Sequence, residues 1–289
     1  MNRIIGTYQV DGQTIEYSIV GNKGAPILVM HGGHSSCDEE FGYAPLIENN
    51  FRIITPSRSG YGKTSKQIGK DLSTACHYYM QLLNHLKIDK VHLLAISAGG
   101  PSGLYFAANY PDRVKTLTLQ SAVTKEWHTP QDMIYKVAQI IFHPLVERVT
   151  WKMTASLSNL FPKMVFKFFA PSFSTLSYKY IQNKLGNTDI EEVRRMNNRQ
   201  RSGSGFLIDL LQTKEITAKE LMTINVPTLI MHSQYDGAVS LGHPAEALKY
   251  IRHAKQYTLD TWGHLIWLGQ GADETNDYLV DFLTHHDHA

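Results

Sequence analysis

Ala95-Ile96-Ser97-Ala98-Gly99-Gly100 is the stretch on which the fold turns. It continues Val91-His92-Leu93-Leu94, a mostly apolar run of the kind that fills a strand buried on both faces of a parallel sheet. Residues 98 to 110 then read as a helix that stops at Pro111-Asp112. A strand running straight into a helix strains the residue between them and exposes its side chain at the strand's end. That residue is Ser97. Ala95 and Gly99, two positions to either side, are small enough to let the two backbones approach. Ser97 also stands at a helix N-terminus, where free N–H groups favour developing negative charge. A serine there can do no more than cap the helix, and only its surroundings decide between the two roles.

Outward from this point the pattern repeats. Upstream, 7–10 and 14–20 flank the turn pair Asp11-Gly12 as a hairpin, and 26–30 and 51–56 read as buried strands. Ala75, Tyr79, Leu82, Leu83 and Leu86 share one face of a helix over 72–86. Downstream, 114–119 is a strand. The alternation lapses from Thr124 to Glu220, a helix-like segment with prolines at 130, 144, 162 and 171, and resumes with strands at 226–232 and 256–259 and a helix over 273–283. Strands alternating with helices imply right-handed βαβ units, hence an α/β fold with a parallel sheet and helices on both faces. The expected organisation is a core of 1–123 and 221–289, with 124–220 inserted as a helical cap.

An activated serine needs a base, an acid to orient the base, and donors for an oxyanion. The amide of Ala98, next after Ser97, is one expected donor. Gly33, in the loop His31-Gly32-Gly33-His34 after an earlier strand, is the other. Among fourteen histidines, His264 alone follows a late strand with a glycine before it; His92 lies inside a strand and reads as a satisfied core residue, and His285, His286 and His288 as a frayed tail. Asp236, just beyond the strand ending at His232, supplies the acid, with Glu126 the next acid to test. The chain order Ser97, Asp236, His264 matches the Ser…Asp…His order of one hydrolase fold.

Four motifs carry a resemblance: His31-Gly32-Gly33, Arg58-Ser59-Gly60-Tyr61-Gly62, the turn at Ser97, and Asp236 with Gly263-His264. With them, residues 7 to 283 resemble the α/β-hydrolase superfamily, specifically its capped, esterase-like members. The resemblance implies an eight-stranded, mostly parallel sheet, a helical lid after the sixth strand, a Ser-His-Asp triad and no cofactor. One departure is Ala95, where the family's turn usually has glycine; slightly tighter packing behind Ser97 is expected. The serine itself argues against epoxide hydrolases and haloalkane dehalogenases, which place an aspartate there. Carboxylic ester hydrolysis through an acyl-enzyme is the expected activity, carboxylesterase-like in type. Thioesters, lactones, amides and vinylogous C–C bonds use the same triad, and acyltransfer, perhydrolysis or a ligand-sensing role remain open alternatives.

A net charge of +2 with no basic reading motif excludes a dedicated nucleic-acid binder. Cys37 and Cys76 have no zinc-like spacing, so no metal is expected, and a reduced, cytoplasmic setting is the simple reading; no secretory h-region or membrane span is visible. The partner is a small acyl substrate, with His34, Ile96, Trp127 and Trp151 expected to line its pocket. Between 133 and 188, seven basic residues stand against one acidic, Glu147, with aromatics between them. The aromatics are expected to pack inwards and the lysines to face water, without membrane contact, because no long single-faced amphipathic helix stands out.

Overall fold

Strand and helix order explain where the chemistry sits. The computed structural model describes residues 2–287. Its strands are β1 (Arg3–Val10), β2 (Gln13–Val20), β3 (Ala25–Met30), β4 (Phe51–Pro56), β5 (Val91–Ile96), β6 (Val114–Gln120), β7 (Thr228–Ser233) and β8 (Ala254–Leu259). They form one sheet in the order β1-β2-β4-β3-β5-β6-β7-β8. The pairs β1–β2 and β2–β4 are antiparallel, and all others are parallel. Every residue of β5 and β7 is buried, whereas none of β1, at the sheet's edge, is fully so. Central strands read as continuous apolar runs because helices cover both of their faces.

The helices are α1 (Tyr43–Glu48), α2 (Leu72–His85), α3 (Gly100–Asn109), α4 (Met133–Ile141), α5 (Glu147–Leu160), α6 (Pro162–Phe173), α7 (Tyr178–Lys184), α8 (Asn187–Arg199), α9 (Gly205–Gln212), α10 (Ala218–Thr223), α11 (Gly242–Tyr250) and α12 (Ala272–Asp287). Leu28 and Met30 of β3 point into one core with α2 and α3; Ile27 and Val29 point into the other with α1 and α12. Asp71 caps α2, its carboxylate accepting from the Thr74 amide at 2.7 Å. Helices α4 to α10 all lie between β6 and β7.

Three expectations need correction. The segment after β6 is not helical from Thr124: α4 begins only at Met133, because Asp132 folds back to accept from the Thr129 amide at 2.7 Å and Pro130 interrupts the approach. The tail is not frayed through His285 and His286. Both lie in α12, where Leu279 and Leu283 bury the helix on the core and the His286 ring packs on Phe282; His288 lies outside the described residues. Nor do all the aromatics of the insertion turn inwards. Trp151 and Phe166 do, but Phe161 and Phe168 are 53% and 79% exposed.

Candidate active site

Ser97 follows β5 directly with φ +50°, a left-handed conformation that costs a non-glycine residue energy and aims its side chain off the sheet. Two glycines make the turn possible. A Cβ on Gly99 would run into the carbonyl oxygens of Met30 and His31. A Cβ on Gly103 would sit 2.5 Å from that of Ala95. The extra methyl at Ala95 is thus accommodated by an empty place on α3, one turn beyond the serine.

Asp236 and His264 follow β7 and β8, beside β5 and β6 in the sheet, so all three side chains gather at the carboxyl ends of parallel strands. His264 Nδ1 lies 2.8 Å from Asp236 Oδ2, and its Nε2 lies 2.9 Å from Ser97 Oγ. A carboxylate accepts only, so Nδ1 carries the proton and Nε2 is free to receive one from the serine. Asp236 Oδ1 accepts from the amides of Ala238 and Val239, both at 2.8 Å. Burial alone would raise this carboxyl's pKa. The imidazole of His264, then His232 and the Val239 amide, outweigh burial and hold it below the usual carboxylate range. Glu126 is exposed, and the carboxylate paired with His264 Nδ1 is that of Asp236.

Two further features escaped the sequence. His232 places Nε2 2.9 Å from the Val239 carbonyl and 3.3 Å from Asp236 Oδ2. Burial lowers its pKa, keeping it a neutral brace for the acid's turn. The end of α6 clasps the loops that carry Asp236 and His264. The Phe173 carbonyl accepts from the amides of His264 at 2.8 Å and Gly237 at 3.1 Å, and Ser174 bridges to Asp236 and bonds the Trp262 carbonyl. The Phe173 ring lies parallel to that of His264. Two bare glycines hint at this in the sequence: a Cβ on Gly263 would strike the Phe173 carbonyl, and one on Gly237 the Ser174 backbone.

The loop after β3 brings Gly32 beside Ser97 and Gly33 beside Ala98 and Phe206. Among the described residues the Gly33 amide donates to no protein acceptor, and Ala98 lies in the first turn of a helix, where N–H groups lack intrahelical partners. The loop is held from below by Arg58. Its Nε donates to the His31 carbonyl at 2.8 Å, its backbone amide donates to His31 Nε2 at 2.9 Å, and its guanidinium forks onto the Asp209 carboxylate of α9. Tyr61 donates to the same carboxylate at 2.6 Å. Burial by itself would favour loss of the Arg58 proton, but Asp209 reverses this and holds the guanidinium charged. The motif Arg58 to Gly62 is therefore a joint between the loop after β3 and α9.

Over Ser97 lies a cavity of about 300 Å³, largely apolar, at the small end of the range for ligand pockets. His34, Ile96, Trp127 and Trp151 all line it, as do Gly33 and Ala98. His34 packs at a tilt against the rings of Phe142, Trp151 and Phe206, and its pKa is lowered to about 3 by burial, so it presents an uncharged wall. Ser202 joins His34 Nδ1 and Trp151 Nε1, each at 2.7 Å. Among the described residues no cluster of ligands suited to a metal occurs.

Sheet topology, elbow and site geometry together define a class, and comparison with known proteins agrees: the chain belongs to the α/β hydrolase fold family, whose model matches residues 25–269. It is similar to uncharacterized hydrolase YcgS of Bacillus subtilis (strain 168), 56% identical over 283 residues, covering 98% of this chain and 99% of that protein. A soluble epoxide hydrolase of Corynebacterium sp. (strain C12) is 27% identical over 227 residues, 76% of this chain and 77% of its own. Among solved structures, an alpha/beta hydrolase fold protein from Nakamurella multipartita superposes with a TM-score of 0.82 at 24% identity, covering 97% of this chain and 99% of that one. The chain is a hydrolase of the α/β fold.

Proposed function

We propose that this protein is a serine hydrolase that cleaves small or medium carboxylic esters through an acyl-enzyme, with residues 124–220 acting as a cap over a core of 1–123 and 221–289. The observation that carries this is the continuous relay from Ser97 Oγ through His264 to the Asp236 carboxylate, 2.9 and 2.8 Å. A serine hydroxyl is a weak nucleophile until a base takes its proton as it attacks. His264 Nε2 receives that proton while Asp236 steadies the imidazolium. The substrate carbonyl oxygen, now an oxyanion, is met by the amides of Gly33 and Ala98. His264 then protonates the leaving alcohol, and a water deprotonated by the same nitrogen releases the acyl group. The apolar walls at His34, Ile96, Trp127 and Trp151 suit an uncharged acyl chain.

Serine at the elbow, in place of the aspartate expected of an epoxide hydrolase, separates the chain's chemistry from that of its Corynebacterium relative. No step asks for a cofactor. The two cysteines are free and buried, in keeping with a reduced, cytoplasmic setting. The test is hydrolysis of p-nitrophenyl esters of increasing acyl length by the protein and by Ser97→Ala and His264→Ala. Turnover with a chain-length optimum, lost by several orders of magnitude in either variant, is the expected outcome. Activity within tenfold of the parent in either variant would sink the mechanism.

A further inference from the structure

Exposed apolar surface on this molecule is concentrated in one place. Of 22 large apolar side chains exposed among the described residues, 14 lie between 133 and 168, on α4, α5, α6 and their connections. They are not scattered. On α4, Met133, Ile134, Val137, Ile140 and Ile141 recur at the spacing of one helical face. On α5, Val149, Met153, Leu157 and Leu160 do the same. Phe161, Met164 and Phe168 extend the stripe onto α6. The opposite faces of these helices are already occupied: Ala138, Trp151 and Val165 are buried beneath them, and Trp151 and Phe169 line the cavity. These helices are therefore apolar on two sides, and the core needs only one.

The charges between the stripes have one sign. Lys136, Arg148, Lys152, Lys163 and Lys167 are exposed, and none is within ion-pair distance of a carboxylate among the described residues. Of the two acids on this stretch, Glu147 is buried against Arg201, and Asp132 is tied to Thr129 at the start of α4. We propose that the outer face of α4, α5 and α6 is a docking surface for an anionic lipid bilayer. Amphipathic helices with apolar and basic residues lie in the interface, apolar side in the acyl boundary and cations among the headgroups. No helix of the described chain is long and apolar enough to cross a membrane, so the contact is peripheral. The same five cations disfavour a second copy as occupant, since a two-fold contact would set each group of cations against its equal. Docked this way, the helices that carry Trp151 and Phe169 into the cavity lie on the lipid.

The test is flotation of the full chain with vesicles of phosphatidylcholine alone and of phosphatidylcholine mixed with phosphatidylglycerol, at low and high salt. Flotation is read independently of hydrolysis. The expected result is binding to the phosphatidylglycerol vesicles that weakens at high salt, with far less on phosphatidylcholine alone. Lys152→Gln and Lys163→Gln should each weaken it about fivefold, the equivalent of the attraction of one basic residue to such a surface. Met153→Gln with Leu160→Gln should weaken it further, all four substitutions leaving hydrolysis of a soluble short ester unchanged. No flotation, or flotation indifferent to phosphatidylglycerol or to these substitutions, would overturn the proposal. So would a concentration-dependent dimer in lipid-free sedimentation that Met153→Gln and Leu160→Gln dissociate, which would give the face to a second copy.

Discussion

The two halves of this molecule use apolar residues in opposite ways. In the sheet, β5 and β7 are sealed on both faces, and even a buried histidine there, His92, is partnered by Thr116 at 2.9 Å. In the insertion, α4 and α5 bury one face and leave an equally apolar one open. Sealing fixes the relay from Ser97 to Asp236 to within a hydrogen bond's tolerance. Openness is affordable in the insertion because it supplies walls and a clasp, and those come from its inner face alone. Two of the joints between the halves bear on the site: Phe173–Ser174 on the loops of His264 and Asp236, and Asp209 on Arg58.

The contrast can be broken most severely on the sealed side. Asp236→Asn should keep the fold and lower kcat by on the order of 10⁴-fold, because the amide no longer selects the Nδ1–H tautomer; vesicle flotation should not change. Steady-state kinetics beside circular dichroism would check this. At the joint, Asp209→Ala leaves the Arg58 guanidinium buried without its partner and should cost about 3–5 kcal/mol in urea denaturation. Behind the elbow, Gly103→Ala should destabilise by about 1–3 kcal/mol through overpacking against Ala95. Adding Ala95→Gly should restore most of that loss, a coupling a double-mutant cycle would measure. The open side should barely respond: Met153→Gln or Leu160→Gln should shift stability by no more than about 0.5 kcal/mol. A larger loss would mean that this face packs on protein after all.

Much of the sealed half was legible in the sequence because burial on two faces writes an unbroken apolar run, and because strand, glycine and the side chains of the proposed triad fall in a fixed order. Residues 51–56 and 91–96 coincide with β4 and β5, and Ser97, Asp236 and His264 meet in space as the chain order suggested. The joints were not legible. Arg58 and Asp209 are 151 residues apart, and a pairing at that distance leaves no local pattern. His232 read as the last residue of a strand, and its closeness to Asp236 depends on the turn between them. The insertion misled for a different reason. Periodicity shows that a helix has an apolar face but not which way it looks, and Phe161 and Phe168, expected to pack inwards with the other aromatics, face outwards.

The most direct test of the central claim is to treat the folded protein with a fluorophosphonate and locate the adduct by peptide mass, beside His264→Ala. Modification of Ser97 alone, with its rate falling by orders of magnitude when His264 is removed, is the expected result. A folded protein that takes no label, or takes it on a residue other than Ser97, would contradict the account.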